Sequence, residues 1–163
     1  MCVNAGFFNI STGQPVPVKN PNAVKALLGF TVPGIGESSI LMQPGKSVHL
    51  GTDTFTVDHH PRTLIAGDQR GRFWLAAIDG RQSGYSLGMS LADAVNFLKR
   101  LGAQWVINLD GGGSTTLVAK GRVENQPSWT LVKRGLSLVR TEFVLRSDKV
   151  VEHLERPVAN ARS

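Results

Sequence analysis

One run of this sequence carries most of its chemically able groups: Asn108-Leu109-Asp110-Gly111-Gly112-Gly113-Ser114-Thr115-Thr116. If the residues before it form a strand, alternation delivers Asn108 and Asp110 to its C-terminal end, with Leu109 facing the other way. The glycines leave the backbone bare, and consecutive N–H groups there suit an anion-holding nest. Ser114, Thr115 and Thr116 add hydroxyls. A carboxylate beside such a loop fits chemistry at a phosphate or a sugar. The same run also reads as a glycine-rich turn stabilised by Asp110, but three glycines are costly in folding entropy, which favours a site.

A second signal is Ile78-Asp79-Gly80-Arg81, which also closes an apolar run. If the two strands are parallel neighbours, Asp79 and Asp110 share one sheet edge, where ligands of such sheets bind. Two convergent carboxylates are what glycoside cleavage usually needs. Arg81 suits a phosphate, which its guanidinium grips bidentately; the alternative is an Asp-Gly turn with a surface arginine. Around Asn4-Ala5-Gly6-Phe7-Phe8-Asn9, Gly6 allows close approach and the asparagines can bond a sugar or the backbone, whereas Phe7 and Phe8 read as core. Arg62, in Pro61-Arg62-Thr63, is another phosphate contact or simply exposed. His59-His60 invites a metal or acid–base reading, but no third ligand is spaced to complete a zinc site. His49 and His153 read as structural or exposed. The single cysteine, Cys2, rules out an internal disulfide framework and a Cys-based zinc site. Walker loop, dinucleotide fingerprint and nucleophile elbow are all missing.

The elements that must position these groups follow from periodicity and punctuation. Ser90–Leu101 is the one clear helix. Ser90 caps it with Asp93 three residues on, Leu91, Ala94, Val95, Leu98 and Leu101 form an apolar stripe, and Gly102 stops it. Leu64–Gly67 and Phe73–Ile78 read as a hairpin around Asp68-Gln69-Arg70-Gly71, and Gln104–Leu109 as a buried strand. Phe73–Ile78, the helix and Gln104–Leu109 make a β-loop-α-β unit long enough for a parallel crossover. Val3–Asn9 reads as a strand and Ser11–Asn22 as a loop. Leu27–Val32 and Ser38–Met42 read as strands around Pro33-Gly34-Ile35-Gly36, Ser47–Val57 as a strand or hairpin, and Arg140–Leu145 with Lys149–Leu154 as a hairpin around Ser147-Asp148. The fold class is α+β, a mixed α/β, strand-rich single domain with one amphipathic helix.

The chain has 163 residues, 41% of them hydrophobic and 18% charged, enough for one ordinary core and unlike a disordered chain. No apolar run reaches the ~18 residues of a membrane-spanning helix. The start shows neither a basic n-region nor a long apolar stretch, so no signal peptide is visible. A net charge of +6 permits anionic partners. The basic segment Lys120–Lys149 is interleaved with apolar residues and reads as a solvated face, so nucleic-acid binding is not expected.

Taken in order, Asn4-Ala5-Gly6-Phe7-Phe8, Pro61-Arg62-Thr63, Asp79-Gly80-Arg81, the Ser90 helix, the Asn108–Thr116 run, Asn125-Gln126-Pro127-Ser128 and Glu155-Arg156-Pro157-Val158-Ala159-Asn160-Ala161 resemble the phosphodiester glycosidase family. The resemblance covers nearly the whole chain. It implies hydrolysis of a sugar-1-phosphodiester, with release of a sugar such as N-acetylglucosamine from a carbohydrate or phosphoglycan substrate. It places Asp79, Arg81, Asn108, Asp110, Gly111, Gly112, Gly113 and Ser114 in the pocket, with Asn4, Arg62 and Arg156 as companions and Thr115 beside them. In that setting Arg62, Arg81 and the glycine amides hold phosphate, Asp79 and Asp110 serve the anomeric centre, and Asn108 and Ser114 orient sugar or carboxylates. No cofactor is expected, with a divalent cation left open. The resemblance also suggests a secreted or cell-envelope setting linked to exopolysaccharide. Against the family pattern, upstream strands and a final strand are expected to be missing, and residues 129–154 look like an insertion. A non-catalytic carbohydrate-binding module on the same scaffold is the alternative.

Overall fold

Every residue of Arg62–Gly67 is buried, so this strand has a core on each face and no face for water. The computed structural model describes residues 2–4, 6–9, 11–46, 50–128, 140–145 and 150–156, the last two segments as strand backbone. In chain order they form β1 (Cys2–Asn4), α1 (Pro21–Leu28), β2 (Ile40–Met42), α2 (Thr54–Val57), β3 (Arg62–Gly67), β4 (Phe73–Ile78), α3 (Leu91–Arg100), β5 (Trp105–Asn108), β6 (Leu117–Ala119), β7 (Arg122–Val123), β8 (Arg140–Leu145) and β9 (Val150–Arg156). Short 3₁₀ turns occupy Glu37–Ser39 and Gly112–Ser114.

Two sheets result, one in the order β2-β5-β3-β4 and the other in the order β7-β6-β1-β8-β9. On one face of the first sheet, Ile65, Ile107 and Leu109 pack with Val3 of the second sheet and with Val24 and Leu28 of α1. On its other face, Leu64, Ala66 and Val106 pack against Leu91, Ala94 and Leu98 of α3. Alternation along β3 and β5 thus sends successive side chains into different cores, and the fold is a mixed α+β domain.

The helix forms where its stripe and caps place it. Ser90 accepts the Asp93 N–H at 3.1 Å and its hydroxyl donates to the Asp93 carboxylate at 2.7 Å. Leu101 caps the end and is 46% exposed, so it falls outside the buried stripe. The β3–β4 hairpin is held at its turn by Asp68, which accepts Arg70 N–H and Arg72 N–H and pairs with Arg72 Nε at 2.6 Å. The β8–β9 hairpin is antiparallel, with β8 paired to β1; its connection at 146–149 lies outside the described residues.

Four expectations are corrected. β4 and β5 run parallel but are not neighbours, because β3 lies between them, antiparallel to both. The tight hairpin pairs β3 with β4 first, leaving β5 the other edge of β3. Leu27–Val32 is not a strand. Pro21 starts a helix whose Val24 and Leu28, one turn apart, are buried, so the loop read over Ser11–Asn22 ends at Asn20, two residues earlier. Thr54–Val57 is a helical turn because Asp53 captures Thr56 N–H at 3.1 Å and its hydroxyl at 2.9 Å, overriding the strand preference of threonine and valine; residues 47–49 lie outside the described residues. The strand begun at Val3 ends at Asn4 rather than Asn9, and Phe8 instead makes an isolated bridge with Pro15.

Candidate active site

Because β3 is antiparallel to both flanking strands, its start lies beside their ends. Arg62 pairs with Ile78 and Leu64 with Asn108. The residues that follow β4 and β5 and those that precede β3 therefore share one rim. Asp79, His60, Pro61 and Asp110 all lie there.

Glycine makes the rim possible at two points. Gly112 takes φ +62°, and its N–H donates to Pro61 O at 2.9 Å. A Cβ on Gly111 would lie 2.9 Å from the same carbonyl. Both glycines lock the run against the start of β3. One consequence corrects the three-amide nest: Gly112 N–H is already spent on Pro61, and Gly111 N–H bonds the Asp110 carboxylate. Among the described residues, Gly113 keeps the amide without a partner.

Asp110, Gly111–Ser114, Arg81, His60, Phe8 and Phe55 line a cleft of about 210 Å³. Burial raises the Asp110 carboxyl to about 6, against the opposing hydrogen bonds from Ser114 and Gly111 N–H. Arg81 lies over Gly112, its guanidinium atoms 3.4–3.6 Å from where a Cβ would stand. Its Nη2 donates to His60 Nδ1 at 3.3 Å, which leaves the histidine proton on Nε2. Burial first, then the charges of Arg81 and Arg62, hold His60 below the usual imidazole range. Arg81 itself sits at φ +57°, a strained conformation of the kind that clusters at functional sites.

The other expected residues have different surroundings. Asp79 accepts Asn125 Nδ2 at 2.8 Å, Gln126 N–H at 2.8 Å and the Tyr85 hydroxyl at 3.1 Å. It is on the shared rim but not in the lining of the Asp110 cleft. Arg62 is 1% exposed. Its Nε donates to Met89 O, its Nη2 to Phe55 O and Asp58 O, and its guanidinium stacks 4.8 Å from the Phe55 ring centre, while Nη1 has no partner. Burial, then Arg81, pull it down to about 10, with Asp53 opposing. The reading of Arg62 as exposed is therefore overturned. Asn108 is buried and its Oδ1 has no partner. Thr115 is fully buried, its hydroxyl 3.5 Å from that of Thr63. The side chain of Arg156 lies outside the described residues.

Asn4 binds the two sheets together. Its Nδ2 donates to Asp110 O, and its Oδ1 accepts the Thr63 hydroxyl at 2.9 Å and Thr116 N–H at 3.0 Å. Asn4→Ala should lower stability by about 2–4 kcal/mol, since it strands a buried carbonyl, hydroxyl and amide together. A urea midpoint measures this, and a shift below about 0.5 kcal/mol would remove Asn4 as the tie.

Sequence reasoning weighed His60 only for metal or acid–base chemistry, gave no role to Phe55 or Tyr85, and met Asn125 and Gln126 only as part of a family motif. The first two line the cleft and the last three hold Asp79. The His60-Pro61-Arg62 sequence carried a usable signal, since Pro61 O receives the glycine run. Gly88 gave another: it takes φ +97°, and a Cβ there would lie 2.3 Å from His60 O. Gly88→Ala should therefore loosen His60 and cost about 2 kcal/mol or more, read as a lower thermal midpoint; an unchanged midpoint would contradict this close approach.

The phosphodiester glycosidase (NAGPA) family model matches residues 4–161. The chain belongs to the phosphodiester glycosidase family. It is 36% identical over 67 residues to N-acetylglucosamine-1-phosphodiester alpha-N-acetylglucosaminidase of Bos taurus and 37% identical over 67 residues to that of Homo sapiens. Those matches cover 41% of this chain but only 12% and 13% of the relatives' lengths. The zebrafish N-acetylglucosamine-1-phosphodiester alpha-N-acetylglucosaminidase catalytic domain, auto-inhibited by its pro-peptide, shares the fold at TM-score 0.57 and 22% identity, over 78% of this chain and 55% of that one. Among the described residues no helix is long and apolar enough to cross a membrane, and no cluster of three potential metal-ligating His, Cys, Asp or Glu side chains occurs.

Proposed function

We propose that this chain hydrolyses a sugar-1-phosphodiester on the glycosidic side, with Asp110 as the proton-transferring group and Arg81 as the phosphate contact. The observation that carries this reading is Asp110: a carboxyl raised to about 6, in a cleft it shares with an arginine and a bare glycine turn. A group of that pKa exchanges protons efficiently near neutral pH. As the carboxylate, Asp110 takes a proton from water while the water oxygen bonds to C1. The bond from C1 to the phosphate oxygen breaks with its electron pair, giving a free sugar and a phosphomonoester. A phosphate leaves readily, so charge stabilisation by Arg81 and the unpartnered Gly113 N–H replaces a strong general acid. Asp79, engaged by three donors, positions the 125–126 segment rather than meeting substrate. By family kinship the sugar is N-acetylglucosamine.

The test is release of free sugar from the methyl phosphodiester of N-acetylglucosamine 1-phosphate. Wild-type chain should release it, and Arg81→Ala should raise KM by about tenfold or more, the weight of one charge-assisted contact. Saturable binding without turnover would instead identify a carbohydrate-binding module.

A further inference from the structure

Arg81 is exposed, and among the described residues no carboxylate pairs with it. An arginine so placed samples many rotamers in water, and an anion that binds it must halt that motion, which weakens binding by a few-fold to about tenfold. Here one hydrogen bond already holds the side chain, from Arg81 Nη2 to His60 Nδ1 at 3.3 Å. The choice of acceptor matters. A carboxylate would hold the guanidinium as firmly but would cancel its charge, whereas an imidazole nitrogen holds it and leaves the whole charge to a ligand.

His60 is in turn fixed by its surroundings. Its N–H donates to Met89 O at 3.2 Å, and its carbonyl accepts Met89 N–H at 3.1 Å. Its ring stacks on Phe55, with centroids 6.5 Å apart and planes 25° from parallel. Phe55 carries the buried Arg62 guanidinium 4.8 Å from its ring centre. A column therefore runs from the buried Arg62 through Phe55 and His60 to Arg81 in the cleft. Gly80 fixes the spacing of its last two members: a Cβ there would lie 2.7 Å from Pro61 N, so the residue before Arg81 rests directly on the residue after His60.

We propose that His60 is the positioning residue of Arg81: its Nδ1 accepts one guanidinium N–H, and this bond sets the guanidinium over Gly112 before an anionic diester arrives. The proposal deepens the preceding reading and rests on it for the identity of the diester, but not for the pairing itself.

The experiment is calorimetric titration of the methyl phosphodiester of N-acetylglucosamine 1-phosphate into the whole chain carrying Asp110→Asn, so that the ligand persists. His60→Phe keeps an aromatic ring against Phe55 but lacks the acceptor, and should weaken binding about fivefold. His60→Asn, whose Oδ1 falls near the place of Nδ1, should recover most of that loss. The decisive comparison is a double-mutant cycle. With Arg81→Ala already present, His60→Phe should change affinity by less than about 1.5-fold, because no guanidinium is left to position; a merely structural histidine would matter equally in both backgrounds. Nitrogen NMR of the imidazole gives a second readout. In the wild-type chain Nδ1 should carry no proton, and the ring should titrate below the usual imidazole range. Arg81 and Arg62 oppose its protonation, the Thr54 carbonyl and Asp58 favour it, and Asp110 shares its cleft. Arg81→Ala should therefore move the titration upward. No saturable binding of the diester, equal effects of His60→Phe with and without Arg81, or a titration that Arg81→Ala leaves in place would each overturn the proposal. Diester binding with this coupling intact, but no sugar release by the wild-type chain, would keep His60 in its role and sink the hydrolase.

Discussion

Asp110→Asn is expected to abolish sugar release and, above pH 6, to make the protein more stable. Loss of one proton-transferring carboxylate lowers kcat by about 10²–10⁴-fold. The stability gain follows from the raised pKa. Burial lifts Asp110 from 3.8 to about 6, so the folded chain holds its proton more tightly than the unfolded chain does. Its favourable contribution is fully present below about pH 4 and is lost as pH rises through about 6. At neutral pH the ionised group therefore costs on the order of 2–3 kcal/mol, which a neutral amide of the same shape avoids. Thermal midpoints of wild type and Asp110→Asn should converge near pH 4 and separate above pH 6. The activity of wild type should rise along a limb with an apparent pKa near 6. A variant that is inactive but also less stable at pH 8 than wild type would show that the carboxylate holds the glycine run together instead.

Arg62→Met should cost about 3–5 kcal/mol of stability, a large share of what a domain of this size has. The side chain donates to three backbone carbonyls, of Met89, Phe55 and Asp58, and removing it leaves those acceptors short of donors in a buried place. Arg62→Lys should not rescue, because one ammonium cannot reproduce a planar fork that bonds in two directions and stacks on Phe55. Urea unfolding measures the effect. A stability loss below 1 kcal/mol together with a large rise in KM would return Arg62 to the phosphate-binding role that the family resemblance implies.

These two residues show what a sequence discloses and what it hides. The rim was legible because strand ends are local: an apolar run followed by Asp-Gly marks Asp79 and Asp110 without tertiary information. Helix α3 was legible for the same reason, its stripe, cap and stop lying within a dozen or so residues. Which strand separates β4 from β5 was not legible, because pairing is non-local and a crossover of that length allows either arrangement. α1 was hidden by composition, since Pro21 and Asn20 read as loop although proline suits the first turn of a helix. Arg62 is the sharper case. A lone arginine before an apolar strand reads as a phosphate contact or as exposed, and only the packing of α2 and Met89 around it turns its charge inward. Asp79 reads as a catalytic partner from its spacing, but whether a carboxylate faces a cleft or is held by Asn125, Gln126 and Tyr85 depends on loops far away in sequence.

The side on which the diester breaks can be read directly. Turnover of the methyl phosphodiester in water enriched in heavy oxygen, followed by phosphorus NMR of the phosphomonoester, locates the new bond. Attack at C1 leaves the phosphate unlabelled, because its oxygens come entirely from the substrate, and the label enters the sugar. Heavy oxygen in the phosphomonoester would mean attack at phosphorus, and Asp110 would then have no anomeric centre to serve.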